Sequence, residues 1–308
     1  MVIIPIFGDT TSGIANFSEV IDIVNQAAEV LELEYAVMGN LVDRREIPRG
    51  QDRVRIPFQT ETFEAQDYTD GDEIAVTQAM GIDTLDLTTN ELQITYRISS
   101  RALRFPAIDL AAMAGDEQAK AAAEALEVRL LATGDDTGVQ DLAGGDADMT
   151  LADLRTIRRL FRTISRANGG PARPPMSVVI SAFAEEDLLT DLGVAADSTN
   201  QSRVIPGFLE NLISVSPSLE DSFLGMILRL PIFVSQYINQ TIGSITAPNQ
   251  GVAFQNNAII LGVAKDWDTK PFEEVEWPGA IVRAMTDYGQ RLGPFPARVI
   301  QLTNEQQV

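Results

Sequence analysis

Residues 50–99 constrain the fold of this chain most, because they form an extended segment that cannot bury itself. Residues 53–58 and 91–98 alternate polar and apolar side chains, which predicts two β-strands. A turn-rich acidic tip, residues 66–73, lies between these strands. The segment contains 10 acidic and 3 basic residues, a net charge of −7, and few bulky side chains. Because an isolated ribbon is marginally stable in water, we predict a long two-stranded β-ribbon that lies on a neighbouring subunit.

The composition excludes most kinds of catalytic chemistry. The 308 residues include no His and no Cys, which excludes disulfides, Cys/His zinc sites, cysteine nucleophiles and Ser-His-Asp triads. The net charge of −21, from 23 basic and 44 acidic residues, argues against nucleic-acid binding as the main purpose and against docking on an anionic membrane. Apolar residues make up 45% of the chain, enough for a buried core. We expect a soluble protein that needs no cofactor and no metal.

Two helices are predicted in the middle of the chain. Pro106 begins the first, in which Ala, Gly and Leu recur at helical spacing until Thr133. About 25 residues would give a rod of roughly 37 Å. Its small residues predict that another element packs closely against one flank. Thr150 caps the second helix, which is expected to end at Gly169.

The second helix has an apolar face and a basic face. Its predicted buried stripe consists of Leu154, Ile157, Phe161 and Ile164. The opposite face carries Arg155, Arg159, Arg162 and Arg166. Residues 150–175 contain six Arg and one Asp, a net charge of +5. Three interpretations are open: a solvated face, a phosphate-binding face, or a surface that binds the acidic ribbon of another subunit. In the last case the partner acids are Asp67, Asp70, Asp72 and Glu73.

The remaining segments complete an α+β pattern with mixed sheets. An early helix is predicted within residues 18–35. After Ser177 the predicted elements are strands at 177–181, 228–234, 258–264 and 297–302, with a short helix at 184–192. Residues 279–288 have no clear preference for helix or strand.

Two acidic features carry possible chemistry. Asp136-Thr137-Gly138 matches the aspartic-protease triplet, in which two carboxylates share a proton, but it occurs once and lacks the apolar strand before it. Five acids between Asp135 and Asp148 could bind Ca²⁺, although their spacing does not match an EF-hand and a solvated loop is favoured. No glycine-rich phosphate-binding motif is present.

Several stretches, read in order, resemble the major capsid proteins of tailed bacteriophages, which have the Hong Kong 97-type capsid fold. Leu130-Leu-Ala-Thr-Gly-Asp-Asp-Thr-Gly is similar to the family turn that closes the spine helix, with Asp136 where the family has Gly. Ser177-Val-Val-Ile-Ser resembles the strand that opens the axial core, and Leu228-Arg-Leu-Pro-Ile-Phe-Val-Ser resembles a later strand. Pro294-Phe-Pro-Ala-Arg-Val-Ile-Gln-Leu looks like the last strand.

The resemblance implies a division of the chain. Residues 1–45 would be an N-terminal arm and residues 46–104 an extended loop, the β-ribbon. Residues 105–149 and 276–308 would form the peripheral domain with a long spine helix, and residues 150–275 the axial domain. Some relatives cross-link this loop through a lysine. Covalent cross-linking is not expected here, because residues 46–104 contain no Lys.

The function implied by the resemblance is self-assembly rather than catalysis. A major capsid protein forms pentamers and hexamers of an icosahedral shell that encloses a double-stranded DNA genome. Its partners would be itself, a portal protein, and a separate scaffolding protein or a decoration (cement) protein. The DNA would be enclosed without specific binding. The protein would reside in the virion, and in the host cytoplasm during assembly, with no membrane contact. The alternatives are an encapsulin-like compartment shell and an acid hydrolase that uses Asp136.

Overall fold

The computed structural model describes residues 36–48, 51–60, 81–99, 110–143, 149–191, 222–239, 241–242, 245–246, 251–272 and 279–303. These residues contain four α-helices and fourteen β-strands in four sheets. The predicted α+β class is therefore confirmed. The helix predicted within residues 18–35, the acidic tip and Pro106 lie outside the described residues.

The helices are α1 (Val37–Leu41), α2 (Leu110–Ala132), α3 (Leu151–Thr163) and α4 (Ala182–Asp191). The first strands are β1 (Asp43–Glu46), β2 (Arg53–Gln59), β3 (Ile82–Thr88), β4 (Asn90–Ser99) and β5 (Gln140–Ala143). The middle strands are β6 (Met176–Ile180), β7 (Phe223–Ile227), β8 (Leu230–Val234), β9 (Thr241–Ile242) and β10 (Ile245–Thr246). The last are β11 (Gly251–Gln255), β12 (Ile259–Phe272), β13 (Gly279–Leu292) and β14 (Val299–Thr303).

A six-stranded sheet, in the order β5-β14-β11-β6-β8-β7, is covered on both faces. Successive side chains of β6 point to opposite faces of the sheet. Val178 packs in a cluster with α3 and α4, whereas Val179 packs in a cluster with α1 and α2. Burial on both sides explains why the predicted strand at 177–181 is a continuous apolar run rather than an alternating one.

The long predicted helix is confirmed as α2, whose 23 described residues span about 34 Å. Its small residues allow the close packing that the sequence predicts: Ala122 is buried against Leu92 and Ile94 of β4. The helix ends in a 3-10 turn, Thr133–Asp135, where the Thr133 hydroxyl donates to the Leu130 carbonyl at 2.6 Å. A Cβ on Gly134 would lie 2.6 Å from Val252 Cγ2, so the turn packs directly on the six-stranded sheet.

The ribbon has a different second strand from the predicted one. The strand predicted at 91–98 is present as β4, but it pairs with β13 in the four-stranded sheet β1-β12-β13-β4. The partner of β2 is β3, which sequence analysis missed, and their register runs from Arg53 opposite Thr88 to Gln59 opposite Ile82. Two aspartates in seven residues concealed β3, because Asp is depleted in strands.

The base of the ribbon packs on its own chain, which corrects the expectation that it cannot be buried there. Ile56 and Leu87 are buried with Ile260 of β12. Gly262 and Gly289 lie opposite each other in β12 and β13. A Cβ on Gly262 would lie 2.6 Å from Leu87 Cδ2, and one on Gly289 would lie 2.0 Å from the Thr88 carbonyl oxygen. These two glycines let β3 contact the sheet directly.

Several element boundaries differ from the predictions, and one undecided segment is now assigned. The helix α3 ends at Thr163, and a separate 3-10 helix, Arg166–Asn168, precedes Gly169. The strand predicted from Leu228 begins at Leu230, because Leu228 and Arg229 have φ values of 52° and 65° and form the turn between β7 and β8. The segment 279–288 lies in the strand β13.

The predicted division into peripheral and axial domains stays a prediction. Strand pairing connects the two segments: β5 and β14 belong to the predicted peripheral domain but join the six-stranded sheet. Conversely, β12 belongs to the predicted axial domain but pairs with β13 along its length.

Candidate assembly surface

The helix α3 is held at its N-terminus by two carboxylates. Asp153 Oδ2 accepts hydrogen bonds from the N–H and the hydroxyl of Thr150, both at 2.8 Å. Asp191, the last residue of α4, accepts the N–H of Leu151 at 2.7 Å. Both carboxylates satisfy otherwise unpaired donors and complement the positive end of the helix dipole. The start of α3 and the end of α4 are therefore in contact.

The apolar and basic faces of α3 are confirmed. Leu154, Ile157, Phe161 and Ile164 are all buried against the six-stranded sheet. Arg155, Arg159 and Arg162 are exposed on the outer face of the helix. Arg166 is also exposed, but it lies on the 3-10 helix rather than on α3, because the helix ends earlier than predicted.

The exposed arginines of α3 have no acidic neighbour within the described part of the chain. No carboxylate there lies within 4.0 Å of Arg155, Arg159 or Arg162. The predicted partner acids, Asp67, Asp70, Asp72 and Glu73, lie outside the described residues. Their pairing with the arginines therefore stays a prediction.

The helix α4 carries an acidic surface that sequence analysis did not single out. Its ten residues include Glu185, Glu186, Asp187 and Asp191 and no basic residue. Ala184 and Leu188 are buried in the same cluster as the apolar face of α3. Phe183 is 65% exposed, one helical turn before Glu186. The run Glu-Glu-Asp after Ala184 was the available signal for this surface.

The chain after α3 is fixed by contacts with the segment before β14. Gly169 has φ 89°, and a Cβ there would lie 2.6 Å from the Phe295 ring. The Arg298 guanidinium lies 4.9 Å from the centroid of the same ring and donates to the Gly169 carbonyl. Burial, and then the nearby Arg173, lowers the pKa of Arg298 below its ordinary value. Phe58 of the ribbon contacts Phe295 edge-on at 6.4 Å, so the ribbon base adjoins this loop.

A fully buried carboxyl group joins three distant parts of the chain. Glu127 of α2 accepts the N–H of Met38 in α1 at 2.7 Å and bonds the Ser235 hydroxyl, just after β8, at 3.0 Å. Burial raises the pKa of Glu127 to about 8, and the two hydrogen bonds oppose this rise. The carboxyl is therefore largely neutral at pH 7. The sequence did not indicate that Glu127 is buried, because glutamates are common on the exposed faces of helices.

The Asp136-Thr137-Gly138 triplet forms a turn between α2 and β5. Partial burial, and then repulsion from Asp135, raises the pKa of Asp136, while Arg291 lowers it. Asp135 accepts a hydrogen bond from Gln301 of β14 at 2.7 Å. Gly138 has φ 93°, and a Cβ there would lie 3.1 Å from Pro296 Cγ. The carboxylate beside Asp136 is therefore that of Asp135, which is hydrogen-bonded to Gln301. The aspartic-protease mechanism instead requires a second carboxylate that faces the first and shares a proton with it.

The described residues contain neither a cluster of metal ligands nor a membrane-spanning helix. No group of three or more His, Cys, Asp or Glu that could hold a metal ion occurs among those residues. No helix within them is long and apolar enough to span a membrane.

Solved structures with a similar architecture include those of bacteriophages. A structure from Mycobacterium phage Che8 is similar over 88% of this chain and 92% of its own, with TM-score 0.60 and 17% identity. The capsid structure of cyanophage P-SCSP1u is similar over 87% and 88%, with TM-score 0.58 and 12% identity. The chain has the phage capsid fold. No protein-family model matches the sequence, and no curated protein does.

The same capsid fold occurs outside phages. A virus-like particle from Pyrococcus furiosus is similar over 91% of this chain and 98% of its own, with TM-score 0.56 and 14% identity. Within the capsid fold of the present chain, α3 and α4 lie on one face of the six-stranded sheet, and α1 and α2 pack on the other. The surface formed by α3 and α4 is the strongest candidate for contacts between copies.

Proposed function

We propose that this chain is the major capsid protein of a tailed bacteriophage. It self-assembles into pentamers and hexamers of an icosahedral shell that encloses a double-stranded DNA genome. The observation that carries the proposal is the fold: similarity to phage capsid structures extends over 87–88% of the chain. A composition without His and Cys agrees with a protein whose work is assembly rather than catalysis.

The parts of the chain take the following roles in this proposal. Residues 1–45 form the arm, residues 46–104 the extended loop, and α2 the spine helix of the peripheral domain. The six-stranded sheet with α3 and α4 forms the centre of the axial domain. The 23-residue length of α2 and the separate ribbon β2–β3 support these roles.

Assembly contacts use charged surfaces of neighbouring copies. Arg155, Arg159, Arg162 and Arg166 bind an acidic surface, and the ribbon tip with Asp67, Asp70, Asp72 and Glu73 is the partner that the sequence indicates. An exposed ion pair contributes only about 0–1 kcal/mol. The contact is repeated at every interface of a closed shell. The small energies of the individual ion pairs therefore add up and determine whether the subunits take the correct register.

The net charge of −21 suits a shell that encloses DNA without binding it specifically. An acidic lining repels phosphates, so the genome can enter and leave without adhering. The proposed partners are a portal protein, a separate scaffolding protein or none, and a decoration protein. The proposed location is the virion, and the host cytoplasm during assembly.

Electron microscopy of the full-length expressed protein tests the proposal. Icosahedral particles are expected, and persistent monomers under all assembly conditions would contradict it. The charge-reversing double variant Arg159→Glu/Arg162→Glu should prevent particle formation while leaving the melting temperature of the subunit unchanged. The matched control, Arg159→Lys/Arg162→Lys, keeps the charge and should still form particles.

A second candidate is a compartment shell that encloses protein cargo. The likeness to the Pyrococcus furiosus virus-like particle favours it, because that structure is covered over 98% of its length. The contents of particles purified from the native source distinguish the two functions. Nuclease-protected DNA supports the phage shell, and a co-purifying folded enzyme supports the compartment.

A further inference from the structure

Two helices with opposite charges lie on the same face of the six-stranded sheet. The thirteen residues of α3 include four Arg and one Asp, a net charge of +3. The ten residues of α4 include four acids and no base, a net charge of −4. Their apolar sides pack in one cluster, which leaves the basic side of α3 and the acidic side of α4 facing outward.

The two charged faces do not neutralise each other within one copy. The end of α4 contacts the start of α3 through Asp191 and Leu151, which fixes the helices end to end. Neither Glu185 nor Glu186 forms an ion pair within the described ranges, and the exposed arginines of α3 have none there either. Within the described residues, Glu185, Glu186 and the exposed arginines of α3 therefore have no partner of opposite charge.

We propose that the arginine face of α3 in one copy binds the acidic face of α4 in the next copy, in a head-to-tail contact that closes a ring. The contact rests on the proposed shell function and identifies the partner of the arginine face. Both complementary surfaces are present on every copy, so each copy binds one neighbour through α3 and another through α4. A chain that carries both halves of an interface needs no other protein to fill it.

Charge disfavours a two-fold contact that is centred on either helix alone. A two-fold contact centred on α3 would bring arginines against arginines, and one centred on α4 would bring acids against acids. Like charges brought together at an interface are strongly unfavourable. A contact that places α3 opposite α4 removes both repulsions. A reciprocal two-fold dimer would pair the same charges, so the ring follows from the proposed capsomer, which requires a head-to-tail contact repeated by rotation.

Phe183 supplies an apolar contact at the same surface. It is 65% exposed and lies one turn before Glu186, so both side chains are on one side of α4. Arginine side chains stack on aromatic rings and form bidentate bonds with carboxylates. The arginines of α3 recur at positions i, i+4 and i+7, a stripe about 10 Å long that matches the length of α4 from Phe183 to Thr190.

The ribbon tip is the competing partner for the arginines, and paired charge reversals distinguish the two. In the first variant, Arg159→Glu/Arg162→Glu makes both faces acidic. In the second, Glu185→Arg/Glu186→Arg/Asp187→Asn changes the net charge of α4 from −4 to +1, so both faces are basic. Each variant alone should form at least ten-fold fewer particles or rings than the wild type, because identical charges meet at every contact. Circular dichroism melts of each variant confirm that the subunits are folded.

An equimolar mixture of the two variants should assemble again, since acidic and basic copies can alternate. Alternation requires an even number of copies, so mixed rings of six are expected and rings of five are not. Native mass spectrometry measures the number of copies in each ring and the ratio of the two variants within it. A mixture that stays monomeric would overturn the proposal.

A third variant, Asp70→Arg/Asp72→Arg, tests the ribbon tip. If it restores assembly when mixed with the first variant, and the second variant does not, the tip is the partner and the α4 contact is wrong. Should either variant fold poorly, Arg159→Gln/Arg162→Gln and Glu186→Gln replace the reversals, and equal assembly of both with the wild type overturns the contact. Failure of the wild type to form any particle contradicts the shell function itself.

Discussion

The buried Glu127 should make the subunit less stable as the pH rises. Its pKa is about 8 in the folded protein and 4.5 in the ordinary exposed state. Between these values the folded subunit binds one proton more than the unfolded chain, so the free energy of unfolding falls with increasing pH. The stabilisation is complete below pH 4.5 and is lost as the pH rises through 8. At about 1.4 kcal/mol per pH unit, the loss reaches about 5 kcal/mol.

Glu127→Gln should remove this dependence while keeping the contacts. The amide oxygen can accept the Met38 N–H, and the amide nitrogen can donate to the Ser235 hydroxyl, which rotates from donor to acceptor. The variant should match the wild type near pH 5 and exceed it by several kcal/mol above pH 8. Glu127→Ala is the matched control, because it leaves the Met38 N–H without a partner and should be less stable than the Gln variant by about 1–3 kcal/mol at every pH.

Urea unfolding of dissociated subunits at pH 5, 6.5, 8 and 9 measures these differences. Other acidic residues also change stability with pH, since the net charge is −21. They act equally in the wild type and in the Gln variant, so the difference between the two proteins isolates Glu127. Parallel pH profiles for the two proteins would refute the assignment of a raised pKa to this carboxyl.

The remaining predictions concern the ribbon base and the acidic turn. Gly289→Ala should destabilise the subunit by about 1–3 kcal/mol, because its Cβ would lie 2.0 Å from the Thr88 carbonyl oxygen. Gly39→Ala is the control, since its nearest contact is 3.4 Å and thermal melting should change little. Asp136→Asn should leave particle yield and thermal stability unchanged, because the triplet forms a turn; loss of a measurable acid-pH hydrolysis in this variant would contradict that role.

Local periodicity made some elements predictable. The stripe Leu154, Ile157 and Phe161 lies at helical spacing and is buried because that spacing places all three side chains on one side of α3. The exposed Arg155, Arg159 and Arg162 follow from the same geometry. Thr150 and Asp153 also carried a local signal, since a capping box involves residues three positions apart.

Contacts between distant residues explain the errors. The partner of β2 could not be read from alternation, because β3 and β4 both alternate and only packing on Gly262 and Gly289 distinguishes them. The acidic face of α4 became a candidate contact surface only because the structure places α4 next to α3. Asp191 contacts Leu151 of α3, which lies forty positions earlier in the chain. Its charges alone are typical of a solvated helix.

The sequence by itself determined the α+β class, the helices α2 and α3, the two faces of α3 and the absence of His and Cys chemistry. These properties depend on composition or on residues a few positions apart, so they can be predicted without knowledge of the fold. Tertiary structure alone decided that β3 completes the ribbon, that α3 and α4 share one face of a sheet, and that Glu127 is buried between Met38 and Ser235. Burial changes the dielectric environment of a group and hence its pKa, and burial is a property of packing rather than of sequence position.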